Sequence, residues 1–150
     1  RARRRRDVTS GLVSLAELTT EERVLVETAR AAAQRAYCRY SSYAVGAAVV
    51  SENGRIFSGC NVENASYGAT MCAERSAIFG LISAGERRIT KVCVYASGEP
   101  MAMPCGMCRQ VIAEFCTDAP VLVAGPRGVL RRSFAELLPE AFRLLAEEKP

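Results

Sequence analysis

The stretch ITKVCVYASGEPMAMPCGMCRQVIAEFCTDAPVLVAG (residues 89–125) reads in turn as strand, loop, helix and strand. ITKVCVYAS (89–97) is a β-rich run of the length of a buried strand, and PVLVAG (120–125) is a second one. Between them CGMCRQVIAEFC (105–116) has helical spacing, and GEPMAMP is loop. Two strands joined through a helix are expected to be parallel.

Working outward, TTEERVLVETARAAAQRAYC (19–38) predicts a helix. Thr19 and Glu22 form a capping box, and Leu25, Ala29, Ala32 and Ala36 share one face. Residues 43–62 predict a hairpin with a type I′ turn at Asn53-Gly54. Residues 63–70 are loop, residues 71–85 a helix with Gly85 as its C-cap, and residues 129–134 a short strand. AELLPEAFRLLAEE (135–148) is helical but interrupted by Pro139. The order α-ββ-α-β-α-β-β-α implies an α/β fold of three layers, with helices on both faces of a mixed five-stranded sheet.

The chain has 150 residues, 49% hydrophobic and 24% charged, a composition that builds one domain with a core. No apolar run approaches the roughly 18 residues that span a membrane, and no apolar segment follows the basic start as in a secretory signal. Removing the five arginines of residues 1–6 takes the net charge from +4 to −1. The basicity therefore sits in a tail, and a near-neutral body argues against a nucleic-acid partner. Residues 1–18 are expected to be a basic, irregular extension, and residues 19–150 the domain. Seven cysteines, an odd number without scaffold spacing, fit a reducing compartment such as the cytoplasm. Cys38, Cys60, Cys93 and Cys116 sit among apolar neighbours as small hydrophobes.

The remaining three carry the chemistry. Cys105 and Cys108 lie three apart at a helix entrance behind Pro104, where the macrodipole favours thiolates. Cys72 opens the helix MCAERSA, so two helix mouths supply three sulfurs. The chain has no histidine, and no further cysteine has this setting. A metal with an open fourth position marks a catalytic site, where zinc makes a water acidic. Glu74 lies two residues from Cys72, roughly 200° away on an ideal helix. The two share a site only if Cys72 stands at the helix mouth, and Glu74 is then a proton carrier, not a ligand. Three thiolates and Zn²⁺ leave one excess negative charge, which Arg75 and Arg109 are placed to offset; otherwise they are surface arginines.

CAE followed by PCGMCRQ resembles the zinc nucleoside and nucleotide deaminases, and YSSYAVGAAVV (40–50) with GCNVENASYG (59–68) narrows the resemblance to the cytidine deaminase family over about residues 21–143. The resemblance implies a cytidine deaminase-like fold and one zinc per subunit on Cys72, Cys105 and Cys108, with Glu74 as the proton shuttle. It implies nucleoside contacts from Asn61 and Glu63 to the ribose, from Tyr43 to the pyrimidine face, and from Ala73 and Phe142. Position 43 is usually phenylalanine in that family. The resemblance further implies pyrimidine salvage, and a homotetramer with shared active sites and no nucleic-acid or membrane partner. Three rivals are a deaminase of another cytosine nucleoside such as blasticidin S, a closed structural zinc module, and a redox Cys-x-x-Cys.

Overall fold

A computed structural model describes residues 11–144. Its sheet has six strands in the order β1-β6-β5-β4-β2-β3: β1 Leu12–Val13, β2 Val45–Ser51, β3 Ile56–Cys60, β4 Ile89–Ala96, β5 Pro120–Gly125 and β6 Gly128–Ser133. Among the described strands β4 and β5 are the pair that runs parallel, as their helical connection requires, with Val92 opposite Val121 and Val94 opposite Val123. The expected five strands become six because Leu12 and Val13 pair antiparallel with Leu130 and Val129. Residues 11–18 are therefore built into the fold, whereas residues 1–10 lie outside the described part.

The helices are α1 Thr20–Ala33, α2 Ala73–Ser83, α3 Gly106–Phe115 and α4 Phe134–Leu137. Strand alternation assigns them to layers. Along β4, Cys93 packs with α1 residues Leu25, Val26 and Ala29 on one face. Val92 and Val94 pack with Ala77, Ile78, Ile112 and Phe134 of α2, α3 and α4 on the other. Both faces are covered, which is why the strands read as continuous apolar runs.

Local chemistry sets the boundaries. The Thr19 side chain accepts from Glu22 N at 3.2 Å, and the Glu22 carboxylate accepts from Thr19 N at 2.8 Å, the capping box expected at α1. The helix stops at Ala33, short of residue 38, because Tyr37 leaves to bridge Val62. The hairpin turn is not type I′. Gly54 N donates to Ser51 O at 3.0 Å, and of the turn residues only Gly54 has positive φ, at 76°. That is a type I turn closed by a left-handed glycine. The C-terminal helix is a single turn, capped by Ser133 and ending two residues before Pro139; residues 145–150 lie outside the described part.

Two glycines set how closely helices approach the sheet. A Cβ on Gly46 of β2 would lie 2.0 Å from Ala29 O of α1. A Cβ on Gly59 of β3 would lie 2.5 Å from Ala77 N and 2.8 Å from Ala73 O, so the mouth of α2 rests directly on that strand. Among the described residues no helix is long and apolar enough to cross a membrane.

Candidate metal centre and active site

Two helix mouths meet where the sequence predicts. Cys72 is the N-cap of α2 (φ −75°, ψ 154°) and Cys105 the N-cap of α3 (φ −69°, ψ 169°). Neither side chain caps its own helix, so both sulfurs are turned to other use. Pro104 lies two residues before the first helical position, where such a proline usually stands, buried at the entrance. Cys108 follows in the first turn of α3, one helical row from Cys105.

The Sγ atoms of Cys72, Cys105 and Cys108 all lie within 4.8 Å of one another, and those of Cys72 and Cys105 are 3.9 Å apart. Tetrahedral zinc with bonds of about 2.3 Å to sulfur needs sulfurs about 3.8 Å apart. The trio therefore fits zinc, and among the described residues no fourth side chain joins it. Exposure runs from buried Cys108 through half-buried Cys72 to exposed Cys105, so one side of the trio faces solvent.

Charge accumulates at this point. The Cys72 thiol is pulled down to about 5, first by the bond from Cys108 and then, against burial, by the Arg75 guanidinium. The Cys108 thiol is pushed up in turn, because a second thiolate beside the first is opposed. A divalent cation removes that conflict by binding both as thiolates. Arg75 supplies part of the balance: its Nη2 lies 3.5 Å from Cys72 Sγ and donates to Thr70 O at 3.2 Å. Among the described residues its buried Nε has no hydrogen-bond partner.

Arg109 does not share this role. Its Nε donates to Pro104 O at 2.7 Å and its Nη1 to Leu137 O at 2.8 Å, so it ties the entrance of α3 to the C-terminal segment. Glu74 is buried in the first turn of α2, outside the ligand group. Burial pushes its carboxyl up to about 7, and the neighbouring Cys72 charge adds to the rise.

The other expected contact residues are held by their neighbours to different degrees. Asn61 Oδ1 accepts from Val45 N and its Nδ2 donates to Tyr43 O, both at 2.9 Å, which leaves one N–H and one lone pair for a ligand. Glu63 receives Tyr40 N at 2.8 Å, Ser41 N at 3.2 Å and the Ser41 hydroxyl. Chiefly through that hydroxyl, its carboxyl is held below the usual range. Tyr40 and Ser41 were missed as supports. They lie in the YSSY turn, but nothing local shows that its N–H groups face a carboxylate 22 residues on. Ala73 is fully buried at the start of α2. Phe142 is 71% exposed, and its carbonyl accepts from Gln110 Nε2 at 2.8 Å. Tyr43 is half-buried, with its hydroxyl on Pro100 O.

Comparison with known proteins agrees with this geometry. The family model described as the cytidine and deoxycytidylate deaminase zinc-binding region matches residues 19–124. The chain is 44% identical over 120 residues to a cytidine deaminase of Sporosarcina psychrophila, covering 79% of this chain and 88% of that protein. It is 46% identical over 114 residues to a cytidine deaminase of Mycobacterium tuberculosis (75% and 83% covered). The crystal structure of a cytidine deaminase from Burkholderia pseudomallei superposes with a TM-score of 0.76 at 41% identity, covering 83% of this chain and all of that one. With three sulfurs spaced for one zinc and a buried carboxylate beside them, this chain belongs to the zinc-binding cytidine and deoxycytidylate deaminase family.

Proposed function

We propose that the protein hydrolytically deaminates cytidine and deoxycytidine to uridine and deoxyuridine, releasing ammonia. The observation that carries this is the pairing of a three-sulfur group, left without a fourth side chain among the described residues, with a buried glutamate that is not a ligand. Relatives named cytidine deaminase, at 44% and 46% identity, support the substrate class.

Cys72, Cys105 and Cys108 would hold zinc, which would supply the acidity that makes water a nucleophile near neutral pH. Glu74 accepts the proton of that water and delivers it to ring N3 as oxygen adds at C4. It then takes the proton of the hydroxyl now on C4 and gives it to the 4-amino group; the C4–N bond breaks, ammonia leaves and the C4 carbonyl forms. Asn61 and Glu63 hold the sugar hydroxyls with the bonding capacity their neighbours leave them. The ring of Tyr43 lies against the base, and Ala73 presents backbone at the mouth of α2. Arg75 offsets the thiolate charge. Phe142, being exposed, is available to close over a base, in its own subunit or a neighbour's.

The working unit in this reading is a single deaminase domain acting in pyrimidine salvage in the cytoplasm. Its assembly is a homotetramer with shared sites, and neither nucleic acid nor membrane is a partner. Purified protein given cytidine should lose absorbance at the cytosine band, release ammonia and contain one zinc per subunit. Glu74→Ala should keep its zinc and lose about 10²- to 10⁴-fold in turnover. Near-wild-type turnover would overturn the shuttle.

A further inference from the structure

We infer that the Tyr43 hydroxyl is a positioning group for the nucleoside pocket, acting by tying the sugar-side residues to the segment that leads into the metal centre. This rests on the deaminase reading above. It concerns an oxygen that the usual phenylalanine at this position lacks.

Residues 97–104 run from the end of β4 to the mouth of α3. At the start of the segment, Ser97 N and Oγ donate to Ala44 O at 3.1 and 3.2 Å. At its end, Arg109 holds Pro104 O at 2.7 Å. The middle is where Tyr43 acts. Its hydroxyl donates to Pro100 O, and its ring runs alongside, since a Cβ on Gly98 would lie 3.6 Å from Cε2 and 3.7 Å from Cδ2. A second tie stands next to the first: Arg127 grips both oxygens of Glu99, at 2.7 and 2.9 Å.

The backbone of Tyr43 faces the other way. Its carbonyl accepts from Asn61 Nδ2 at 2.9 Å. Its N–H donates at 3.1 Å to the Ser41 oxygen, whose hydroxyl binds Glu63. One residue thus connects both sugar-side side chains to the wall that continues into Cys105. A loop held at both ends still samples different widths, and a middle anchor removes that freedom before substrate arrives. Because Arg109 secures the ligand end separately, releasing the middle should loosen the pocket wall and spare the metal.

The test separates hydroxyl, ring and metal. Tyr43→Phe keeps the ring and frees Pro100 O. It should raise KM for cytidine about three- to tenfold, the value of one hydrogen bond, with kcat within about twofold and zinc content unchanged. Arg127→Met releases the neighbouring, half-exposed tie and should raise KM about twofold. The double variant should fall short of the product of the two, because both act on one segment. A Tyr43→Phe enzyme with wild-type KM overturns the inference, as does one in which kcat and zinc content fall while KM rises. Tyr43→Leu isolates the stacking role. If it only matches Tyr43→Phe, the ring is no part of the pocket and the whole KM effect belongs to the tie. Amide hydrogen exchange across residues 97–104 reads the tie without substrate. Exchange there should quicken in Tyr43→Phe, and unchanged exchange overturns the inference even if cytidine is not the substrate.

Discussion

Cys72 and Glu74 would face opposite sides of a helix that contained both, yet both belong to one centre. Cys72 has the extended backbone of an N-cap (ψ 154°), which swings its sulfur out, while Glu74 is in the helix proper. Helical side chains lean toward the N-terminus, so Arg75, three residues on, folds back over Cys72. Arg109 folds back the same way, but its Nε meets the Pro104 carbonyl before any sulfur. The two arginines look alike in the sequence, and each donates to the carbonyl five residues back; they differ because Arg75 Nη2 also reaches Cys72 Sγ, whereas Arg109 Nη1 is taken by Leu137 O. Removing the Arg75 charge should therefore disturb the centre in a way that removing Arg109 does not. Arg75→Gln should lower kcat about 10- to 100-fold, the usual effect of losing a partner of a metal ligand. Steady-state kinetics on zinc-replete protein checks this, and a fall of less than about threefold would show that the sulfurs need no guanidinium.

The mouth of α2 is placed by the strand beneath it. Gly59 lets the backbones at Ala73 and Ala77 approach β3 to where a methyl would sit 2.8 and 2.5 Å from backbone atoms. Gly59→Ala must push α2 outward and carry Cys72 with it. It should cost about 1–3 kcal/mol and lower zinc content, read from chemical denaturation and metal analysis. Gly80, on the outer side of the same helix, has nothing within 4 Å of an added Cβ. Gly80→Ala should instead stabilise by about 0.5–1 kcal/mol with zinc unchanged, since it only improves helix propensity. A Gly59→Ala protein with full zinc would detach the position of Cys72 from this contact. Element types were legible because hydrophobic period and capping residues are local. The C-terminal end of α1 and the type of the hairpin turn were not. The first depends on Tyr37 N donating to Asn61 O at 3.0 Å, and in the second Asn53 Nδ2 binds Glu86 at 2.9 Å.

Residues 11–18 join the N-terminal segment to the far edge of the sheet, and one ion pair records how. Arg131 of β6 meets both oxygens of Glu22 at 2.8 Å and donates to Glu17 O at 3.1 Å, uniting β6, α1 and the lead-in. Arg131, opposed by burial, holds the Glu22 carboxyl down to about 2, from an ordinary 4.5. A depressed folded value means the pair stabilises fully above about 4.5 and loses that contribution as pH falls toward 2. Denaturation midpoints should drop across that window, and Arg131→Met should flatten the drop. An unchanged slope would assign acid sensitivity elsewhere. The fold class, the parallel pair and the nearness of Cys105 to Cys108 were determined by the sequence alone, because each is written in spacing within one element or one β-α-β unit; Cys72 and Glu74 were singled out by their place at a second helix mouth, and packing brought that mouth to the first. The sixth strand, the separate duties of Arg75 and Arg109, and the links from Ser41 to Glu63 and from Tyr43 to Pro100 were decided only by tertiary structure. They join residues that come together only when separate elements pack, and no local period or cap encodes which carbonyl or carboxylate will then stand within reach.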